Sequence, residues 1–61
     1  MKRRDFVRHL EVHGCRLLRE GSNHTLFVNL TTRKATTVPR HREVKEMLVL
    51  KICKDLGIPT P

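Results

Sequence analysis

Four histidines, six carboxylates and two cysteines are the side chains of this 61-residue sequence best suited to move a proton, hold a metal or attack an electrophile. The acids, Asp5, Glu11, Glu20, Glu43, Glu46 and Asp55, are scattered. No Asp-x-Asp or close carboxylate pair occurs, which argues against a two-metal nuclease, whose ions need converging carboxylates, and against a glycosidase pair. His9 and His13 have the i, i+4 spacing that can chelate zinc. A closed zinc site takes four ligands, and no Cys-x-x-Cys or third patterned ligand joins them. The expectation is a site without metal or cofactor. Cys15 and Cys53 form no disulfide framework and carry no nucleophile motif, so they read as reduced packing residues.

His24 and His41 remain. His24 follows Gly21-Ser22-Asn23, a stretch with turn chemistry: glycine for positive φ, Ser and Asn for side-chain-to-backbone bonds. Such a histidine in a cationic chain suits RNA cleavage. RNA supplies its own nucleophile, the 2′-hydroxyl, and the protein need only move protons and stabilise a charged phosphorane. Imidazole titrates near neutrality and offers both protonation states. Backbone N–H groups of Gly21, Ser22 and Asn23 can also form an anion-binding concavity, or simply an ordinary hairpin turn. His41 can contact phosphate or help order the start of the second helix. Phosphate contacts are expected from Arg16, Arg19, Arg33, Lys34, Arg40, His41 and Arg42. With Phe6 and Phe27 the only aromatics, base stacking across a sheet, as in RRM modules, is not expected. The residues alone leave three readings open: a ribonuclease using His24, a non-catalytic RNA- or DNA-binding module, and a basic partner of an acidic protein.

The elements that must position these groups follow from periodicity. Phe6, Val7 and Leu10 predict a helix over residues 3–13, stopped by Gly14. Residues 15–19 predict a strand, partly alternating. The clearest strand spans 24–30. Its alternation sets His24, Leu26, Val28 and Leu30 against Thr25, Phe27 and Asn29. The aliphatic set would carry His24 into the core, unless a bulge beside the turn re-aims its ring. Residues 34–38 predict a third strand ended by Pro39. A second helix is expected over 43–56, with Val44, Met47, Leu48, Ile52 and Leu56 as its apolar stripe and Gly57 and Pro59 beyond its end. The order α-β-β-β-α implies an α+β domain spanning residues 1–61. A three-stranded antiparallel meander would carry two helices on one face and leave the other face accessible.

Thirteen Lys and Arg against six acids give a formal charge of +7, which points to polyanionic partners. Disorder is excluded because 38% of residues are hydrophobic and fall in periodic patterns. A chain of this length buries only about 60% of its unfolded surface, too little to enclose a dinucleotide. The longest apolar run, Met47 to Leu50, is far short of a membrane span, and no apolar stretch follows Met1-Lys2-Arg3-Arg4 to make an export signal. A cytoplasmic protein without a membrane partner is expected.

These features occur together in a familiar order. A helix ends at Gly14, and Gly21-Ser22-Asn23-His24 opens a strand about seven residues later. Val38-Pro39-Arg40-His41 ends the third strand, and Glu43-Val44-Lys45 begins a helix closing at Leu56-Gly57-Ile58. Across nearly its whole length the sequence resembles the HicA family of mRNA interferase toxins. The resemblance implies a double-stranded-RNA-binding-domain-like fold and metal-independent endoribonuclease activity on mRNA. It also implies a catalytic histidine at His24 positioned by Gly21 and Ser22, and a HicB-type antitoxin as partner. Three departures stand out. Asn23 occupies a position where many relatives have histidine, the Thr31-Thr32-Arg33 hairpin carries no glycine, and Met47-Leu48-Val49 replaces a common Gly-Thr-Leu.

Overall fold

Phe6 and Leu10, one helical turn apart, are both sealed from solvent and draw α1 (Arg3–Val12) onto the sheet. The computed structural model describes residues 1–61. At the end of α1 the His13 N–H donates to the carbonyls of His9 and Leu10, and Gly14, at φ +82°, turns the chain into β1 (Cys15–Glu20). Strands β2 (His24–Asn29) and β3 (Ala35–Pro39) complete an antiparallel sheet in the order β1-β2-β3, and α2 (Glu46–Leu56) closes the chain. The architecture is α-β-β-β-α, an α+β fold, as the sequence predicts. Helix α1 packs towards β1 and α2 towards β3. Phe6, Leu10, Cys15, Phe27, Val38, Val44, Val49, Ile52, Cys53 and Leu56 form the core between helices and sheet. Both cysteines are free and buried, and burial pushes both thiols up from their ordinary range.

Strand β2 faces the opposite way from the reading that placed its aliphatic residues in the core. Thr25, Phe27 and Asn29 are buried against the helices, while His24 is exposed and Leu26 and Val28 lie half-buried on the open face. Plain alternation exposes His24, with no bulge in β2. The polar pair can be buried because each side chain is satisfied. Thr25 Oγ1 donates to the Val38 carbonyl (3.2 Å) and accepts from Arg3 Nη2 (2.9 Å). Asn29 Nδ2 donates to the Leu56 carbonyl (2.8 Å), and its Oδ1 accepts from the Thr31 N–H (2.9 Å). The sheet's bulge lies in β1 instead. Leu17 pairs with Phe27 and Arg19 with Leu26, so Leu18 is the extra residue.

Helix α2 begins three residues later than periodicity predicts. Glu43 forms a bridge with Lys2, and the Val44 N–H donates to the Met1 carbonyl (2.8 Å), so this stretch is extended and held by the N-terminal segment. Val44 is buried from that extended stretch. Within α2 the buried stripe is Val49, Ile52, Cys53 and Leu56, spaced i, i+3, i+4, i+7. Met47, expected in the stripe, is 83% exposed. Gly57, at φ +72°, ends the helix as its N–H donates to Lys54 O and that of Ile58 to Cys53 O.

Asp55 joins α2 to β3, accepting from Lys51 Nζ (2.8 Å) and Thr36 Oγ1 (3.2 Å). The hydrogen bond from Lys51, with help from its charge and from Thr36, holds the carboxyl below the usual carboxylate range. A depressed native pKa stabilises the fold above the unfolded value, about 3.9, and that stability is lost as pH falls through the native value. Asp55→Asn is therefore expected to lower Tm at neutral pH, with the deficit closing as pH falls through the native value; thermal melts across pH check this.

The β2–β3 hairpin supplies a second expectation. Lacking glycine, it places Arg33 in the left-handed region, φ 66°. An L-residue there costs about 1–2 kcal/mol, against roughly 0.5–1 kcal/mol of extra chain entropy for glycine. Arg33→Gly is expected to stabilise the fold by about 0.5–1 kcal/mol in urea titrations.

Candidate active site

The turn between β1 and β2 is built around Gly21. Its N–H donates to the His24 carbonyl (2.7 Å), and a Cβ at this residue would stand 3.1 Å from that same oxygen. Glycine is needed here for close approach and not for positive φ, which the sequence reading expected; only Gly14 and Gly57 among the glycines have it. The Gly21 N–H is thus committed inside the turn and does not join an outward anion-binding concavity.

Arg40, just past β3, clamps the turn from the other side. Its backbone N–H donates to the Asn23 carbonyl (3.3 Å) and its Nη1 to the Gly21 carbonyl (3.2 Å). A guanidinium has five N–H donors, so this clamp leaves others for an anion. His24 opens β2 opposite Pro39, the last residue of β3. The Pro39 carbonyl accepts from Arg3 Nε (2.9 Å), while Arg3 Nη2 reaches Thr25. Arg3 therefore braces the sheet directly beneath His24. Sequence reasoning missed it, because its partners lie 22 and 36 residues away and leave no local signal.

Ser22, Asn23, His24, Arg40 and His41 line one open cleft of about 290 Å³, without an apolar side chain. Two imidazoles and a guanidinium thus share a solvent-accessible hollow. His41 belongs to this cleft and not to the start of α2, which lies five residues further on.

The expected phosphate contacts divide. Arg40 and His41 join His24. Arg19 lies on β1 opposite Leu26, at the same end of the sheet. Arg42 lines a separate cleft with Lys2, Arg3, Arg4 and Glu43. Arg16 Nη1 donates to the Glu11 and Cys15 carbonyls (3.0 and 2.8 Å), an attachment to the end of α1. Arg33 and Lys34 follow Asn29 at the far end of the hairpin from His24. Arg16, Arg33 and Lys34 are not brought to the cleft.

No three His, Cys, Asp or Glu side chains converge on a common point. The rings of His9 and His13 lie 4.6 Å apart, and His9 Nε2 donates to the Pro59 carbonyl (2.7 Å). Phe6 and Phe27 are both buried, so neither offers a stacking surface.

A family model for the HicA toxin of bacterial toxin–antitoxin systems matches residues 3–58, from the start of α1 to just past α2. The chain belongs to the HicA family. It is the toxin type of a toxin–antitoxin system, and an antitoxin partner follows in general from that membership. No curated protein and no solved structure matches the chain. In this HicA chain Asn23 lines the cleft beside His24, so the second imidazole there comes from His41, beyond β3. No helix is long and apolar enough to cross a membrane.

Proposed function

We propose that this HicA toxin is a metal-independent endoribonuclease that cleaves mRNA in the cytoplasm, with His24 as general acid/base, and that a HicB-type antitoxin neutralises it. The observation that carries the reading is the shared cleft: His24, His41 and Arg40 lie together, exposed, around a turn that fixes His24 through Gly21.

The chemistry follows from the substrate. One neutral imidazole takes the proton of the 2′-hydroxyl as its oxygen bonds to phosphorus. The P–O5′ bond breaks, and the other ring, as imidazolium, gives its proton to the departing oxygen. The products are a 2′,3′-cyclic phosphate and a 5′-hydroxyl. His24 takes one of these roles and His41 the other. The N–H groups of Arg40 not engaged by Gly21 stabilise the extra charge on the phosphorane, the largest electrostatic change in the reaction. Ser22 and Asn23 present the ring, and Arg19 adds positive potential at the same end of the sheet.

Incubation of the purified protein with single-stranded RNA in EDTA tests this. Fragments with cyclic phosphate ends are expected, and RNA methylated at the 2′-oxygen should resist. Intact RNA would overturn the proposal and leave a binding module, and cleavage of the methylated strand would overturn attack by the 2′-hydroxyl.

A further inference from the structure

The second cleft lies where the N-terminal segment meets residues 42–44. It measures about 500 Å³ and is lined by Lys2, Arg3, Arg4, Arg42 and Glu43, with no apolar side chain. The segments are stitched by main-chain bonds: the Arg3 N–H donates to the Arg42 carbonyl (2.8 Å), Lys2 bridges Glu43, and Val44 N–H reaches Met1 O. The cations are therefore held side by side on paired backbone.

Their charges are poorly neutralised. Glu43, the one acid in the lining, faces the Met1 ammonium at 3.4 Å. Arg4 approaches Asp5 only at 3.9 Å, with both side chains mostly in solvent, and such a pair contributes little. Neither Lys2 nor Arg42 has a carboxylate within 4.0 Å. Arg3 is committed to Pro39 and Thr25. Lys2, Arg4 and Arg42 remain as three exposed cations around a polar hollow, an arrangement that an anion stabilises.

The hollow adjoins the His24 cleft. His41 lines one and Arg42 the other, and consecutive Cα atoms are about 3.8 Å apart. Arg3 lines the second hollow and reaches the strands that carry the first, through its bonds to Pro39, the partner of His24, and to Thr25, its neighbour. An RNA strand whose reacting phosphate sits by His24 carries further phosphates on either side of it, and residues 41 and 42 link the two hollows. Guanidinium forks suit phosphate oxygens, and the lack of apolar lining disfavours a side-chain anchor from a protein.

We propose that Lys2, Arg4 and Arg42 form a second phosphate subsite, which seats a phosphate of the RNA strand next to the one attacked beside His24. The inference rests on the ribonuclease reading of that cleft. It assigns the N-terminal segment a part in holding the strand.

The test uses the full chain with any affinity tag at its C-terminus. Lys2→Ala, Arg4→Ala and Arg42→Ala are combined, and Arg3 is kept for its bracing role. In a His24→Gln background, affinity for a short single-stranded RNA is measured from about 50 to 200 mM salt. The log–log slope should shrink by about 0.7 for each phosphate that the variant no longer neutralises, with affinity at the low-salt end falling about tenfold or more. Arg42→Lys should keep the slope. With His24 present, the ratio of cleavage rates on a long RNA and on a dinucleoside monophosphate, which has no neighbouring phosphate, should collapse in the triple variant. An unchanged slope and ratio in a folded triple variant would overturn the subsite; if that variant instead lost affinity for the antitoxin, the cleft would belong to an acidic protein. Cleavage at the parental rate in His24→Gln alone would overturn the proton-transfer reading, and the salt slope would still decide the subsite independently.

Discussion

Replacing His24 by glutamine is expected to slow RNA cleavage by about 10²–10⁴-fold, the usual contribution of a positioned acid or base. That loss corresponds to about 3–5 kcal/mol of activation barrier. Glutamine keeps a hydrogen-bonding tip of similar reach and cannot carry a proton near neutrality. The side chain is exposed, and the bond that anchors this residue to Gly21 uses its main-chain carbonyl, so the fold should survive. The variant should therefore melt as the parent does, still bind RNA, and be tolerated by cells that the parent arrests. His41→Gln should also slow cleavage and should remove one limb of the pH–rate profile, because two imidazoles in opposite protonation states give a bell. Arg40→Ala is a less clean probe, since it removes the clamp on Gly21 along with charge from the cleft. Folded His24→Gln that cuts at the parental rate would remove His24 from the mechanism.

The candidate site was legible where its signals are local. Gly21-Ser22-Asn23-His24 and Pro39-Arg40-His41 are short stretches, and antiparallel pairing of β2 with β3 brings them to one end of the sheet. The first helix was equally readable, since Phe6, Leu10 and Gly14 lie within a few turns of one another. The parity of β2 was not. Counting aliphatic residues favours the face that holds His24, Leu26 and Val28. The face that is buried is chosen by partners remote in sequence: Arg3 and Val38 for Thr25, Leu56 for Asn29. The start of α2 was misplaced for the same reason. Residues 43–44 have helix-compatible side chains, but the backbone of Met1 and Lys2 claims them for an extended pairing. The same pairing sets Lys2 and Arg4 beside Arg42, a juxtaposition with no local signal in the sequence.

Asn29→Ala carries the largest expected loss of stability. Asn29 is 3% exposed and its amide serves two segments at once. Nδ2 holds the Leu56 carbonyl at the end of α2, and Oδ1 receives the Thr31 and Thr32 N–H groups of the hairpin at 2.9 and 3.4 Å. Truncation leaves these main-chain groups short of partners, at about 1–3 kcal/mol for each one left buried, and opens a small void. A total near 3 kcal/mol is a large share of the roughly 3–9 kcal/mol expected for a domain of this size, and Tm should fall by about 10–20 °C. Asn29→Asp separates the donor from the acceptor. It retains Oδ1 for the hairpin but turns a second oxygen towards the Leu56 carbonyl, at the negative end of a helix dipole. A carboxyl so placed has a raised native pKa, so its penalty should grow as pH rises and relax in acid, the same sense as the deficit of Asp55→Asn although the two pKa shifts have opposite signs. The hairpin lies at the opposite end of β2 from His24, so the folded fraction of either variant should cut RNA at the parental rate. Parental melting in Asn29→Ala would show that the hairpin and the end of α2 are held together by something other than this amide.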